Sequence, residues 1–319
     1  MNLLDLFSGI GGFHLGLERA GFKINSFNSE INKYANQVYK NNFKNSTYVG
    51  SVADVRGSDL PRINAITFGS PCQDFSLAGK QKGMGGERSS LILEAIRLVK
   101  ECRPDFFIWE NVKGTFSSNS GEDFAAILQA FTNIGGYRLE WQLLNTKWFL
   151  PQNRERVYLV GYTSNKSGGQ IFPITRESNG VIKNNKINIG SARTRKYMNQ
   201  AQKLEIRNDN STNTLTSVQK DNYVLGYSRD RKGKVMSRHK KKLANTLHAS
   251  SGSGNNTDQF INSIRKLTPL ECERLQGFPD DWTKFGTEGL ISNTQRYKMC
   301  GNAVTVDVVE AVGKQILKL

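Results

Sequence analysis

The sequence predicts an α/β protein: a doubly wound, mostly parallel sheet carrying a smaller, irregular, β-rich region late in the chain. Three observations lead there. Over residues 1–162, short apolar, β-branched or aromatic runs alternate with amphipathic stretches, and strands separated by helices pair in parallel. A glycine-rich turn joins the first such run to the first helix, as in Rossmann-like sheets that bind ligands at their carboxyl edge. From 163 to 264 the texture shifts to Ser, Asn, Gly and Lys, and after Lys266 the apolar rhythm returns. The expected organisation is 1–162, 163–264 and a return segment 265–319 that completes the first unit; 319 residues exceed one ordinary domain but not two.

Taken in order, NLLDLF (2–7) reads as a buried strand, GGFHLGLERA (11–20) as a helix closed by Gly21, and KINSFNSE (23–30) as a second strand. AITFGS (65–70) is a third strand ending at Pro71. In LILEAIRLVKEC (91–102), Leu91, Ile92, Ala95, Ile96 and Val99 fall at helical spacing, and Pro104 stops the helix. DFFIWENV (105–112) is another buried strand. Phe124, Ile127, Leu128 and Phe131 suit a helix ending at Gly135 and Gly136, and RVYLVGY (156–162) is a late strand. Helices over PLECERLQG (269–277) and near VTVDVVEAVGKQILKL close the chain. STNTLTS (211–217) and LANTLHAS (243–250) share an NTL core 32 residues apart, which reads as chance or as two similar hairpin strands rather than a repeat architecture.

Composition narrows the function. Apolar residues make up 37% and charged residues 23% of the chain, with 7 prolines, which excludes a collagenous or wholly disordered polymer. No apolar run reaches the length of a membrane span, and Asp5 and Glu18 interrupt any secretory signal, so the expectation is a soluble, cytoplasmic protein. Cys72, Cys102, Cys272 and Cys300 form no CxxC pair, so neither a disulfide framework nor a metal site is expected. The net charge of +16 is uneven. Residues 163–264 hold 18 Lys+Arg against 6 Asp+Glu, whereas 1–162 hold 18 against 15. That concentration, densest in RDRKGK (229–234) and RHKKK (238–242), fits a polyanion such as nucleic acid, although a solvated basic face reads the same way.

Several short segments have the residue types that chemistry needs. DLFSGIGGF (5–13) opens the first helix, and Glu30 lies 19 residues past Gly11 at the end of the second strand. Glycines there admit close approach of a ligand, and a carboxylate about 20 residues on can accept from a ribose diol. The spacing differs from GxGxxG, so an adenosine without phosphates fits as well as a dinucleotide, and a tight strand-to-helix turn is the plain alternative. GSPCQDFS (69–76) puts Cys72 just past the third strand, where a thiol is usable as a nucleophile; a lone cysteine is otherwise a small buried hydrophobe. The glycines at 79, 83, 85 and 86 suit a lid loop. Glu110 in WENV emerges on the neighbouring strand and can protonate a ring nitrogen or merely cap a turn. QNRERV (152–157) sets Arg154 and Arg156 on one face and Glu155 on the other, for a base and a phosphate or for surface ion pairs.

Together, DLFSGIGGF, GSPCQDFS, ENV, QNRERV, ECERLQGFPDDW (271–282) and QRYKMCGNAVTVDVV (295–309) resemble, in this order, the motif series of the S-adenosylmethionine-dependent DNA cytosine C5 methyltransferases, over nearly the whole chain. The resemblance implies that Cys72 is the nucleophile, that Glu110 contacts the cytosine edge, and that Arg156 meets its carbonyl oxygen with Arg154 and Gln152 nearby. It puts Phe7, Gly9, Gly12, Glu30, Ile31, Val52, Pro71, Leu91, Asn302 and Val304 in the cofactor pocket, and makes 163–264 a target-recognition domain. Ser76, Arg88, Arg229, Arg231, Arg238 and Thr246 are the candidates for DNA contact. The partner implied is double-stranded DNA, bound by a monomer, with a companion restriction endonuclease as a functional associate. One position departs: in GSVADV (50–55) Ser51 stands where the family has an acidic residue for the adenine amino group, which predicts weaker or differently bonded adenine recognition.

Overall fold

The computed structural model describes residues 1–69, 91–163, 169–175, 190–195, 203–206, 211–215, 223–225 and 264–319; at 190–195, 203–206, 213, 223–225 and 264–266 it describes the backbone alone. The first strand, β1 (Asn2–Leu6), is followed by α1 (Gly12–Ala20), β2 (Asn25–Ser29), α2 (Lys33–Asn42), β3 (Thr47–Tyr48), β4 (Ala65–Gly69), α3 (Leu91–Cys102), β5 (Phe106–Val112), α4 (Glu122–Ile134), β6 (Tyr137–Asn145), β7 (Gln152–Asn153) and β8 (Glu155–Thr163). Seven of these strands form one sheet in the order β3-β2-β1-β4-β5-β8-β6. The first five are parallel, while β8 runs antiparallel to both β5 and β6. The doubly wound, mostly parallel sheet expected from the sequence is therefore present.

Burial explains the strand compositions. Leu3, Leu4 and Leu6 of β1 are fully buried, as a parallel strand covered on both faces requires. Successive side chains point to opposite faces, so Leu3 joins an apolar cluster with Phe13 and Leu17 of α1, and Leu4 joins one with Ile92 and Leu98 of α3 and Ile127 of α4. α1 stops at Gly21, whose φ of +114° closes the helix through N–H bonds back to Leu17 and Glu18.

Beyond β8 the described strands are β9 (Gly190–Arg195), β10 (Lys203–Ile206), β11 (Thr212–Asn213), β12 (Tyr223–Leu225) and β13 (Ile264–Lys266); β10, β9, β12 and β13 form a second, four-stranded sheet. Two pieces of this stretch pack on the main core. Ile171 and Ile174 belong to the cluster on the α1 face, and β11 pairs in parallel with β7, which is the observed setting of the first NTL segment. The chain then forms α5 (Pro269–Leu275), the hairpin β14–β15 (Phe285–Gly286, Gly289–Leu290), α6 (Asn293–Asn302) and α7 (Val306–Ile316). Thr268 and Glu271 make a reciprocal capping box ahead of α5, with Pro269 in the first turn. α7 returns to α1: a Cβ at Gly16 would lie 2.6 Å from Val309 Cγ1, so glycine is what permits the two helices to approach.

The sequence reading leaves α2, β3 and β6 unassigned. α2 buries Ala35, Val38 and Tyr39 at helical spacing, but in a segment so polar that few apolar residues mark the period, and β6 is an edge strand whose side chains are mostly half-exposed. Among the described residues no helix is long and apolar enough to cross a membrane.

Candidate active site

The chemistry-bearing segments converge at the carboxyl edge of the sheet. β4 ends at Gly69, which is in register with Glu110 of β5. Their approach is close: a Cβ on Gly69 would lie 3.3 Å from Glu110 Oε2. Because β8 runs antiparallel to β5, it brings Arg156 opposite Val112 and delivers the arginines to the same edge. Arg156 Nε lies 3.1 Å from Glu110 Oε1, and Arg154 Nη2 lies 4.0 Å from the same oxygen. On the outer face, Glu155 pairs instead with Lys113.

Arg154 is held from behind. Its Nη1 donates to Gly301 O at 3.3 Å and its Nη2 to Ala303 O at 2.9 Å, so the carbonyls at the end of α6 fix the guanidinium. Burial, reinforced by Arg156, pulls its pKa down to about 10, which leaves it charged at neutral pH. Glu110 is 7% exposed, and its Oε1 accepts no hydrogen bond although both guanidiniums are near. Its charge is balanced by the ion pair with Arg156, and Arg154 stands close behind.

The glycine turn forms a second feature of the same edge. Phe7, Gly9 and Gly11 have φ of +50°, +53° and +85°, and Phe7 is strained in that region. The Glu30 carboxylate secures the turn, accepting from Gly9 N at 2.9 Å and from Asn32 N at 2.7 Å. Burial raises its pKa, against the pull of those backbone donors. A Cβ at Gly9 would meet nothing closer than Phe7 O at 3.9 Å, so space lies open before the turn, whereas one at Gly12 would strike Val304 Cγ2 at 2.6 Å. The C-terminal segment thus closes on the turn from behind. Phe7, Val52 and Leu91 belong to one apolar cluster. Ile31 is 81% exposed and, with Glu30, Lys33, Lys40, Tyr48 and Glu288, lines a largely polar cleft of about 300 Å³ next to the turn. The Glu30 carboxylate beside the open backbone at Gly9 is the polar setting a ribose needs, so the residues present fit S-adenosylmethionine. Asn302 is exposed at the end of α6, and Ser51 is half-buried with its carbonyl accepting from Asp54 N.

Pro71, Cys72, Ser76, Arg88, Arg229, Arg231, Arg238 and Thr246 lie outside the described residues, as do the two basic clusters and the second NTL segment. The chain bearing Cys72 leaves β4 three residues earlier, at the Gly69–Glu110 register point. The other cysteines are poor nucleophiles: burial pushes the Cys102 thiol up to about 11 and the Cys272 thiol up to about 12, and raises that of Cys300 well above its ordinary value.

Gln152 does not project as a free amide beside the arginines. It is fully buried, its Nε2 donating to Leu275 O at 2.6 Å and its Oε1 accepting from Leu215 N at 3.1 Å. Sequence reasoning missed its neighbours. Gln276 donates to Cys300 O at 2.7 Å and accepts from Thr305 Oγ1 at 3.1 Å, and Thr305 also bonds Thr146. No periodicity marks such a polar junction; the only local signal is a glutamine at the buried end of an apolar helix.

Fold and site define an α/β enzyme with a nucleoside-type turn and a paired carboxylate at the carboxyl edge of its sheet. Residues 1–318 match the family described as C-5 cytosine-specific DNA methylase, and the chain belongs to that family, whose activity is methyl transfer from S-adenosylmethionine to carbon 5 of cytosine in DNA. It is 30% identical over 325 residues to the type II methyltransferase M.Bsp6I of Bacillus sp. (strain RFL6), covering 100% of this chain and 99% of that protein. It is 33% identical to M.NgoBI of Neisseria gonorrhoeae, over 98% of this chain and 91% of the other. Among solved structures, the Dnmt2 methyltransferase of S. pombe superposes with a TM-score of 0.66 at 22% identity, over 100% of this chain and 98% of that one, a likeness of fold.

Proposed function

We propose that this enzyme methylates a cytosine extruded from a specific double-stranded DNA sequence, with Cys72 as nucleophile, Glu110 at the ring nitrogen and Arg156 at the carbonyl oxygen. Carbon 5 of cytosine is too poor a nucleophile to react unaided. Attack of the Cys72 thiolate on carbon 6 makes an enamine that is electron-rich at carbon 5. Glu110 promotes that addition by a proton or a strong hydrogen bond to nitrogen 3, while Arg156 offsets the negative charge developing on oxygen. After methyl transfer, loss of the carbon 5 proton expels Cys72 and restores the ring. The single observation that carries the reading is the meeting of the Glu110 carboxylate with the Arg156 and Arg154 guanidiniums beside Gly69, an acid and two cations at one sheet edge.

S-adenosylmethionine supplies an electrophilic methyl group on a sulfonium. Glu30 would accept from its ribose, Gly9 would admit it to the turn, and Phe7, Ile31, Val52 and Leu91 would supply apolar contact to its adenosine, while Gly12 and Val304 brace the turn from behind. Residues 163–264 act as the recognition domain: their 18 Lys+Arg against 6 Asp+Glu provide the phosphate contacts that offset the few kcal/mol of base extrusion. Ser76, Arg88, Arg229, Arg231, Arg238 and Thr246 are the DNA-contacting candidates. The enzyme acts as a monomer in the cytoplasm, beside an endonuclease of the same specificity, in keeping with the type II naming of its relatives.

Incubation with S-adenosylmethionine labelled in the methyl group and unmethylated genomic DNA, followed by digestion to nucleosides and sequencing of modified sites, tests the reading. Labelled 5-methylcytosine in a fixed context is expected. Label confined to RNA, or found on another base, contradicts it.

A further inference from the structure

We propose that Gln152 is a positioning residue, which with Gln276 couples the seating of segment 211–215 to the alignment of Arg154 in the base pocket. This rests on the pocket reading above. The segment lies within the basic insert, yet it is built into the catalytic unit at four points. Thr212 N donates to Pro151 O at 2.7 Å, β11 pairs with β7, and Thr214 Oγ1 donates to Asn153 O at 2.8 Å. Leu215 sits in an apolar cluster with Leu275, Tyr297 and Cys300.

From there a continuous run of buried hydrogen bonds leads to the active site. Leu215 N donates to Gln152 Oε1, and Gln152 Nε2 lies 3.4 Å from Gln276 Oε1 as well as bonding Leu275 O. Gln276 Nε2 donates at 2.7 Å to Cys300 O and reaches Ala303 O at 3.4 Å. Ala303 O is the same carbonyl that holds Arg154 Nη2. Both glutamine side chains are fully buried, and every amide end has a partner, so neither can rotate without stranding a polar group. A shift of 211–215 must therefore displace Gln152 or break a bond to it. Because β7 ends at the residue before Arg154, the same shift reaches the guanidinium from two directions. DNA bound by the insert would in this way influence whether Glu110 and its arginines are set for catalysis.

The test uses the full-length enzyme with Gln152→Glu, Thr214→Val and Thr214→Ser. The glutamate keeps an acceptor for Leu215 N and loses the donor to Leu275 O; the valine removes the bond to Asn153 O, and the serine keeps the hydroxyl. DNA affinity, melting temperature, the KM for DNA and the single-turnover methylation rate are measured on the sequence mapped by labelling. The single-turnover rate should fall about tenfold or more in Gln152→Glu and about threefold or more in Thr214→Val, with affinity and KM within about threefold of the parent, while Thr214→Ser recovers most of the rate. Should Gln152→Glu fail to fold, the Thr214 pair decides alone. A lowered melting temperature with parental turnover, or weakened DNA binding that accounts for the whole loss, overturns the proposal. Full activity of Glu110→Gln, assayed in parallel, would instead sink the pocket reading on which it rests.

Discussion

Arg154 Nη2 lies 2.9 Å from Ala303 O and 4.0 Å from Glu110 Oε1, so one buried guanidinium joins the C-terminal segment to the acidic residue at the end of β5. Arg156 contacts the same carboxylate, and among the described residues its further bond is to the neighbouring Glu155 carbonyl. The two arginines should therefore fail differently. Arg154→Met strands the carbonyl of Gly301, leaves that of Ala303 only its long bond from Gln276, and should cost about 1–3 kcal/mol of stability as well as activity. Arg156→Met should lose about a hundredfold in turnover with a much smaller change in melting temperature. Equal stability losses in the pair would contradict this division.

Asp5, fully buried within β1, accepts from Thr67 Oγ1, and burial raises its pKa from 3.8 to about 8. A carboxyl raised in the folded state holds its proton there while the unfolded chain releases it. Its stabilising contribution is thus complete below about pH 4 and is lost as pH rises towards 8. His14 works in the opposite sense: burial lowers it to about 3, so its contribution grows from there to pH 6.5 and is then constant. Between pH 6.5 and 8, stability measured by denaturant unfolding should decline in the parent and decline less in Asp5→Asn. Parallel profiles would contradict the assignment.

Gly16 lets α1 and α7 meet, with an added Cβ only 2.6 Å from Val309 Cγ1 and 2.9 Å from Val306 O. Gly16→Ala should cost about 1–3 kcal/mol through overpacking, seen as a lower denaturation midpoint. Val309→Ala in the same chain should recover little of the loss, because its Cβ, also 2.6 Å from the added one, remains. An unchanged midpoint in the single variant would mean that the helices part freely.

Ser51 occupies the place at which the resemblance expects an acid for the adenine amino group. Ser51→Asp should tighten S-adenosylmethionine binding by roughly tenfold, the worth of one charged hydrogen bond, in a calorimetric titration. Unchanged affinity would show that adenine recognition here does not run through this position.

Much of this architecture is legible in the residues themselves. Buried parallel strands such as NLLDL and FFIWENV are nearly continuous apolar runs, and α3 has a clean helical period ended by Pro104. Glu110 can be placed at the carboxyl edge because it stands near a strand end, whereas the family resemblance alone sets Arg154 and Arg156 beside it. What escaped is set by non-local bonding. α2 gains its place from Asn32 accepting Tyr34 N and Ala35 N, from packing against β14, and from a short apolar face, Ala35 and Val38, that the surrounding polar residues obscure. The Gln152–Gln276 junction joins residues 124 apart, and no local pattern encodes such a meeting. The second β sheet drew its strands from a polar stretch in which alternation alone set no pairing.

The central claim is that sulfur at position 72 adds to the pyrimidine ring. The direct measurement is mass spectrometry of the enzyme after incubation with S-adenosylmethionine and a duplex bearing 5-fluorocytosine at the mapped target, where fluorine at carbon 5 blocks the final elimination. The account predicts a stable conjugate whose peptide carries the oligonucleotide on Cys72. An active preparation that yields no conjugate, or one joined through another residue, would contradict it.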